Sequence, residues 1–261
     1  MDEISTSYEP ESGDQTPDEQ ASWFSGFIDI FSAPWEIGRR AIRSPMKVIL
    51  FAILLETLSL PIGGYLLSKS PGIYKEQRDS YIVMIDKMAR NPQIPREQIQ
   101  EQYDSIDKNL TFDTTNLTKL LAVGILKGAA IIFGLGLLLW VSHRMFTAEP
   151  IGFIHLVSLL SFGSAISSVG IIFGSLMQFF GDSLMYAPGL YFLSPTVDIG
   201  QPSLLTRVDA FTLWFYAAVG IAIASAAGLS KKTGLIISGI VYGFLMLMFW
   251  GYLSLMKMFM G

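Results

Sequence analysis

The sequence predicts an all-α polytopic integral membrane protein, a bundle of about five transmembrane helices with an extracytoplasmic helical hairpin, and three observations predict it. Apolar residues make up 51% of the 261 positions and charged residues 15%, where a soluble domain carries about a quarter charged residues. Long apolar runs occupy residues 46–67, 120–141, 151–180, 211–229 and 234–256, each close to the ~20 helical residues that cross a hydrocarbon core of about 30 Å. Basic residues cluster at alternate ends of those runs, the pattern that sets membrane topology. A soluble chain of this length could not enclose five such helices on every side.

Residues 1–20 contain Asp2, Glu3, Glu9, Glu11, Asp14, Asp18 and Glu19 and no Lys or Arg. With too little apolar surface to offset its ordering entropy, this stretch reads as a disordered acidic cytoplasmic tail. It lacks the basic start and early apolar core of a signal peptide. Residues 21–45 are different: Trp23, Phe24, Phe27, Ile28, Ile30 and Phe31 precede Pro34, and Trp35, Ile37, Arg39, Arg40, Ile42 and Arg43 follow. Apolar residues with bases beside them suit an amphipathic helix in the membrane interface; the alternative is a helix packed on the protein itself.

The five-span membrane domain covers residues 46–258. Its first span carries Glu56, and Pro61 with Gly63 and Gly64 is expected to break its outer end. The second carries Lys127. The third is long enough to tilt or to end in an interfacial turn, and the fourth is just long enough to cross. Only Ser230-Lys231-Lys232-Thr233 separates the fourth from the fifth, which makes them a tight helical hairpin. Close helix approach is signalled by small residues four apart: Gly124–Gly128, Gly170–Gly174, Gly220–Ala224–Gly228 and Gly239–Gly243.

Orientation follows from the bases. Arg39, Arg40 and Arg43 precede the first span, Arg144 follows the second, and Lys231 and Lys232 join the last two, whereas the opposite side sets Arg207 against Asp182, Asp198 and Asp209. Arg39, Arg40, Arg43, Lys231 and Lys232 are the expected cytoplasmic anchors, so the N-terminus lies inside and the C-terminus outside. Trp35 and Trp140 suit the inner aromatic belt, and Tyr186, Tyr191, Phe192 and Trp214 the outer one.

Loop 68–119 is the one extramembrane piece large enough to fold. Tyr74, Tyr81, Ile85 and Met88 form one helical stripe, and Ile99, Tyr103, Ile106 and Leu110 a second. Asn91-Pro92-Gln93-Ile94-Pro95 separates them, with Pro95 suited to the first turn of the second helix. The charged residues beside the stripes (Lys75, Glu76, Arg78, Asp79, Arg96, Glu97 and Glu101) read as solvated faces.

The order of these parts resembles a known family. A Pro34-containing segment leads into a span; a loop rich in Gln and Glu follows around Asn91–Gln98; Val208-Asp209-Ala210-Phe211-Thr212-Leu213-Trp214 leads into the fourth span, and the Lys231-Lys232 hairpin closes the set. Over roughly residues 25–258 this layout, with Pro34, Asp209, Phe211 and Trp214, resembles the bacterial branch of the Yip (Ypt-interacting protein) domain family of five-span membrane proteins. The resemblance implies a multi-pass protein of the bacterial inner membrane. Eukaryotic members are associated with Rab GTPases and vesicle traffic, and carry a characteristic Asp-Leu-Tyr-Gly-Pro motif. Here the nearest string, Asp29-Ile30-Phe31-Ser32-Ala33-Pro34, has an extra residue and lacks the Tyr-Gly pair, so the resemblance does not carry the motif that accompanies GTPase binding.

Chemistry-bearing residues are few. Glu56 lies about 14 Å into its span from the basic end and Lys127 about 12 Å into its own from the other side, counting helical rise. Charges at such depth face a bundle interior and pair. This candidate intramembrane pair therefore reads first as a buried salt bridge, or as a protonated Glu56 with Lys127 snorkelling outward, and second as part of a proton- or ion-coupled pathway. Ser158, Ser161, Ser164, Ser167 and Ser168 make a polar stripe on the third span, read as helix packing before conduit. Asp209 is expected to cap the fourth helix. His155 reads as a hydrogen-bonded interface residue, and His143 is too isolated for a metal site. Cysteine is absent, and no zincin, nucleophile-elbow or phosphate-loop motif occurs. No catalytic, cofactor or metal site is expected. The expected function is a non-enzymatic scaffold or adaptor acting through helix packing and membrane organisation, the alternative a small-solute or ion transporter, or the membrane subunit of one, that uses Glu56 and Lys127. Expected partners are the lipid bilayer, proteins that meet the tail or the 68–119 loop, or a second copy of the chain; nucleic acid is excluded, since no basic and aromatic surface is patterned for it.

Overall fold

Within hydrocarbon every backbone N–H and C=O must be satisfied inside its own segment, so apolar runs of this length close into helices. The computed structural model describes residues 23–40, 42, 44–90, 93–111, 117–147, 149–190 and 208–260. Among the described residues there are helices and no strand, apart from an isolated bridge between Gly189 and Asp209. The helices are α1 (Gly26–Ser32), α2 (Pro34–Arg39), α3 (Pro45–Ser68), α4 (Pro71–Ala89), α5 (Arg96–Leu110), α6 (Leu117–Arg144), α7 (Phe153–Gly181), α8 (Ala210–Ala226) and α9 (Lys231–Met260). The tail, Arg43, Tyr191, Phe192, Asp198 and Arg207 lie outside the described residues.

Four helices, α3, α6, α7 and α9, are long and apolar enough to cross a bilayer, and α8 is a shorter apolar helix beside them. This is a polytopic membrane bundle. Its middle is α7: two-thirds of its most apolar window is buried in protein, against a third or less in the other three long helices. Leu156, Val157, Leu159, Leu160 and Ile166 of α7 are buried against α3, α6 and α8. The other long helices turn large apolar side chains outward, such as Leu126 on α6 and Leu247 on α9, as a lipid-facing surface requires.

Two local expectations are corrected. Helix α3 continues through Pro61 to Ser68 without a break. Proline removes one i→i−4 bond, a loss that transmembrane helices tolerate through small local adjustments. Helix α8 ends at Ala226, earlier than the apolar run, because Gly228 takes φ +67°. Leu229 N–H donates to Ala224 O and Gly228 N–H to Ser225 O, the paired bonds of a Schellman cap. Gly228 thus stops the helix instead of packing within it. The 17 residues of α8 rise about 26 Å, less than the expected run.

Where the two helices of the last hairpin meet, a Cβ on Gly234 would lie 2.2 Å from Gly220 O. Ser230 starts α9 by accepting the Thr233 N–H. At the same basic end of the bundle, α1 and α2 lie across α7 and α8. Phe27, Ile30 and Ile37 are buried there, while Phe24 and Ile28 remain exposed. Phe27 meets Phe51 and Phe162 edge-on, at 4.9 and 5.0 Å between ring centroids. Gly38 allows α2 to touch α8, since a Cβ there would lie 2.1 Å from Ala222 O.

At the opposite end, α4 and α5 form a hairpin around Ile85, Ile99 and Ile106, with Met88, Ile82, Tyr103 and Leu110 packed on them. Tyr81 is largely exposed and Ile82 takes its place in the seam. Pro95 is the N-cap of α5, one position before its first turn, so its fixed φ sets the entry of the helix. Tyr74 and Arg78 of α4 donate to Asp107 of α5, and Tyr103 donates to Asp86.

Candidate intramembrane site

The residues singled out for charge and hydroxyl chemistry converge on a cavity of about 650 Å³ between α3, α6, α7, α8 and α9. Helix α3 supplies Glu56, α6 supplies Lys127, and α7 supplies Ser164, Ser167 and Gln178. Asp209, Phe211, Thr212 and Tyr216 line it from the start of α8, and Tyr242 from α9. On this side α7 presents small residues, against which the start of α8 and the segment before it pack closely. Phe211 rests where a Cβ of Gly170 would stand, at 2.7 Å, and Pro188 packs against Gly174.

Glu56 is buried, 9% exposed. Its carboxylate is within hydrogen-bonding reach of Ser167 and in the field of Lys127. The expected Glu56–Lys127 salt bridge is not formed: among the described residues the ion pairs within 4.0 Å are Arg40–Asp29 and Arg78–Asp107. Lys127 is exposed, and the two helices hold the opposite charges on one cavity without closing them onto each other.

The serine stripe divides by use. Ser158 and Ser161 donate to the carbonyls of Ile154 and Val157, each at 2.8 Å, so they are satisfied within their own helix. The hydroxyls of Ser164 and Ser168 are buried with no hydrogen-bond partner among the described residues. Ser164 and Ser167 alone of the five line the cavity.

Asp209 accepts the N–H groups of Phe211 and Thr212, both at 2.9 Å, and the Thr212 hydroxyl. This caps α8 and faces a carboxylate to its positive end. Phe211 stacks at a tilt on Phe173, 5.5 Å between centroids, and Trp214 is exposed at 40%. Pro34 is the buried first residue of α2. Arg40 pairs with Asp29 at 2.5 Å. Arg39 and Lys231 approach the Trp35 ring at 5.6 and 5.4 Å, while Ser225 donates to Trp35 O at 2.6 Å. Lys232 is exposed. His143 accepts the Ile151 N–H and Trp140 donates to Ile151 O, both at 3.3 Å, which fixes the turn between α6 and α7.

Gln178, Tyr216 and Tyr242 join the site without having been singled out in the sequence. Gln178, a lone amide late in an apolar run, is the one whose position could have been noticed. The tyrosines read as belt or core residues until the fold sets their rings 5.0 Å apart.

A second polar contact lies at the hairpin end. Asp182 ends α7 in the left-handed region, φ 50°, and accepts bonds from the Ser70 hydroxyl and the Gly72 N–H at the start of α4. Glu76, read from sequence as part of a solvated face, instead accepts the Leu184 N–H at 2.9 Å. The Ser70 hydroxyl, and then the Gly72 N–H, hold the Asp182 carboxyl below its usual range. Tyr74 and then Arg78 do the same for Asp107.

The cavity therefore offers recognition: a buried carboxylate, a separate ammonium, a hydroxyl with no partner and aromatic walls. Compared with known protein families, curated proteins and solved structures, the chain matches none.

Proposed function

We propose that the protein is a non-enzymatic scaffold or adaptor of the Yip type in a bacterial inner membrane. The tail and the Lys231–Lys232 turn face the cytoplasm, and the hairpin and the C-terminus lie outside. The observation that carries this reading is the latch at the basic end. Trp35, held by Ser225 and flanked by Arg39 and Lys231, makes the N-terminal segment part of the membrane bundle. A protein that grips residues 1–20 is thereby tethered to α7 and α8. The continuity of α3, α6, α7 and α9 also favours a scaffold, since transporters of the inverted-repeat kind build their sites from interrupted helices.

Affinity purification of the tagged full chain from native membranes tests the reading, with a chain lacking residues 1–20 as the control. A stoichiometric protein partner lost with the tail supports it. Recovery of the chain alone, together with solute flux in reconstituted vesicles, overturns it.

The cavity favours a second reading, in which Glu56, Lys127, Ser164 and Ser167 line a route for a small solute or ion. On that reading Glu56→Gln abolishes flux while assembly is preserved. Unchanged flux with poorer assembly rejects it.

A further inference from the structure

Glu56 and Lys127 share the cavity without bonding to each other, and that arrangement needs an occupant; Asp209, the other carboxylate on its wall, is already taken up by the N–H groups of Phe211 and Thr212. Glu56 presents a buried carboxylate, and Lys127 an ammonium with no ion pair among the described residues. Both costs fall when a complementary charge enters, because an unpaired ion in hydrocarbon is expensive. The Ser164 hydroxyl, 2% exposed and without a partner, lines the same space. A buried polar group left unsatisfied in this way points to a missing hydrogen-bonding atom.

We propose that the cavity holds a zwitterionic ammonium–phosphate group, that of a phosphatidylethanolamine head group, with its ammonium at Glu56 and its phosphate at Lys127. The class follows from the lining. A primary ammonium satisfies a carboxylate and the Ser164 hydroxyl together, since it has three donors. Tyr216 and Tyr242 add aromatic walls that favour a cation. A phosphate is the natural counterpart of a single lysine, and it sits one short linker from the ammonium in this head group. The volume of about 650 Å³ falls within the roughly 300–1,000 Å³ of small-molecule sites.

A lipid is favoured over a dissolved solute by where Lys127 stands. It is exposed on the face of α6 that also carries Val123 and Leu126, both exposed. About 12 Å into its span, Lys127 snorkels along this face toward the interface and meets there a phospholipid phosphate drawn down beside α6, with the acyl chains running along the helix outside. The proposal rests on the cavity and does not depend on the scaffold reading.

The test uses the full chain in nanodiscs of equal parts phosphatidylethanolamine and phosphatidylglycerol, with retained lipid identified by native mass spectrometry after transfer to detergent. Wild type is expected to retain phosphatidylethanolamine over phosphatidylglycerol. Glu56→Gln is expected to lower that preference about tenfold, the loss of one charge-assisted hydrogen bond, and Lys127→Gln to lower the retention of both lipids by a similar factor. Ser164→Val, which changes no charge, keeps the test valid if Glu56→Gln fails to fold; it is expected to weaken retention as well. Free phosphoethanolamine, titrated in parallel, separates the sources. Saturable binding of it without lipid retention assigns the same chemistry to a dissolved zwitterion. Equal retention of both lipids, with no binding of phosphoethanolamine, overturns the proposal, as does a preference that survives all three substitutions.

Discussion

Asp182 shows how much one side chain holds at the hairpin end. Both bonds from α4 reach its Oδ1, and its φ of 50° is one that Asp and Asn tolerate better than most residues. Asp182→Asn keeps an acceptor and the backbone, so the hairpin is expected to stay docked. Asp182→Ala removes both bonds and adds backbone strain, and limited proteolysis of the 68–119 segment should accelerate. Because the folded Asp182 and Asp107 carboxyls are held below their usual range, their stabilisation is present above the unfolded value and lost as pH falls through the folded one. Hydrogen exchange in α4 and α5 is therefore expected to rise on acidification below the ordinary carboxylate range. Asp182→Asn should remove the Asp182 share and leave that of Asp107. Sequence alone pointed to Glu56 and Lys127, because a charge within an apolar run is conspicuous. It could not reveal that they stay apart, since α3 and α6 pack directly there, Gly128 against Glu56, and the direction each long side chain takes is set by the fold.

At the scale of elements, the spans were legible from run length, because hydrocarbon leaves the backbone little choice but helix. Their ends were less so. Gly228 has the spacing of a packing glycine and the job of a cap, and only the fold of the α8–α9 turn separates the two. Gly228→Ala is expected to cost about 1–2 kcal/mol from the left-handed backbone, with Gly228→Asn milder, measured as thermal unfolding in detergent. Glycine also carries the junction of α2 with α8. Gly38→Ala would drive a methyl group into Ala222 O, an overpacking of about 1–3 kcal/mol. The expected result is protease access to residues 23–40 in a bundle that is otherwise intact; protection equal to wild type would refute that junction. The stripes of α4 and α5 were readable at helical period, but the contacts of Glu76 and Asp182 were not, since they join the start of α4 to the end of α7, over 100 residues on.

For the whole molecule, the absence of cysteine makes topology directly measurable. Gln98→Cys on the exposed face of α5 and Lys232→Cys at the start of α9 are both at exposed positions. With the hairpin outside, a membrane-impermeant maleimide is expected to label Gln98→Cys in intact cells, and Lys232→Cys only after permeabilisation. The reverse pattern would invert the orientation drawn from the bases.

The latch at Trp35 sets an order on biogenesis. Trp35 leaves the ribosome early, but the Ser225 hydroxyl that holds it comes 190 residues later, and Lys231 later still. At a synthesis rate of about 5–20 residues per second, the aromatic segment waits roughly 10–40 s with its docking surface not yet made. During that interval its apolar face has the nascent membrane surface or a chaperone as company. The α8–α9 hairpin is the one that releases it, so the basic end closes only once that hairpin has inserted.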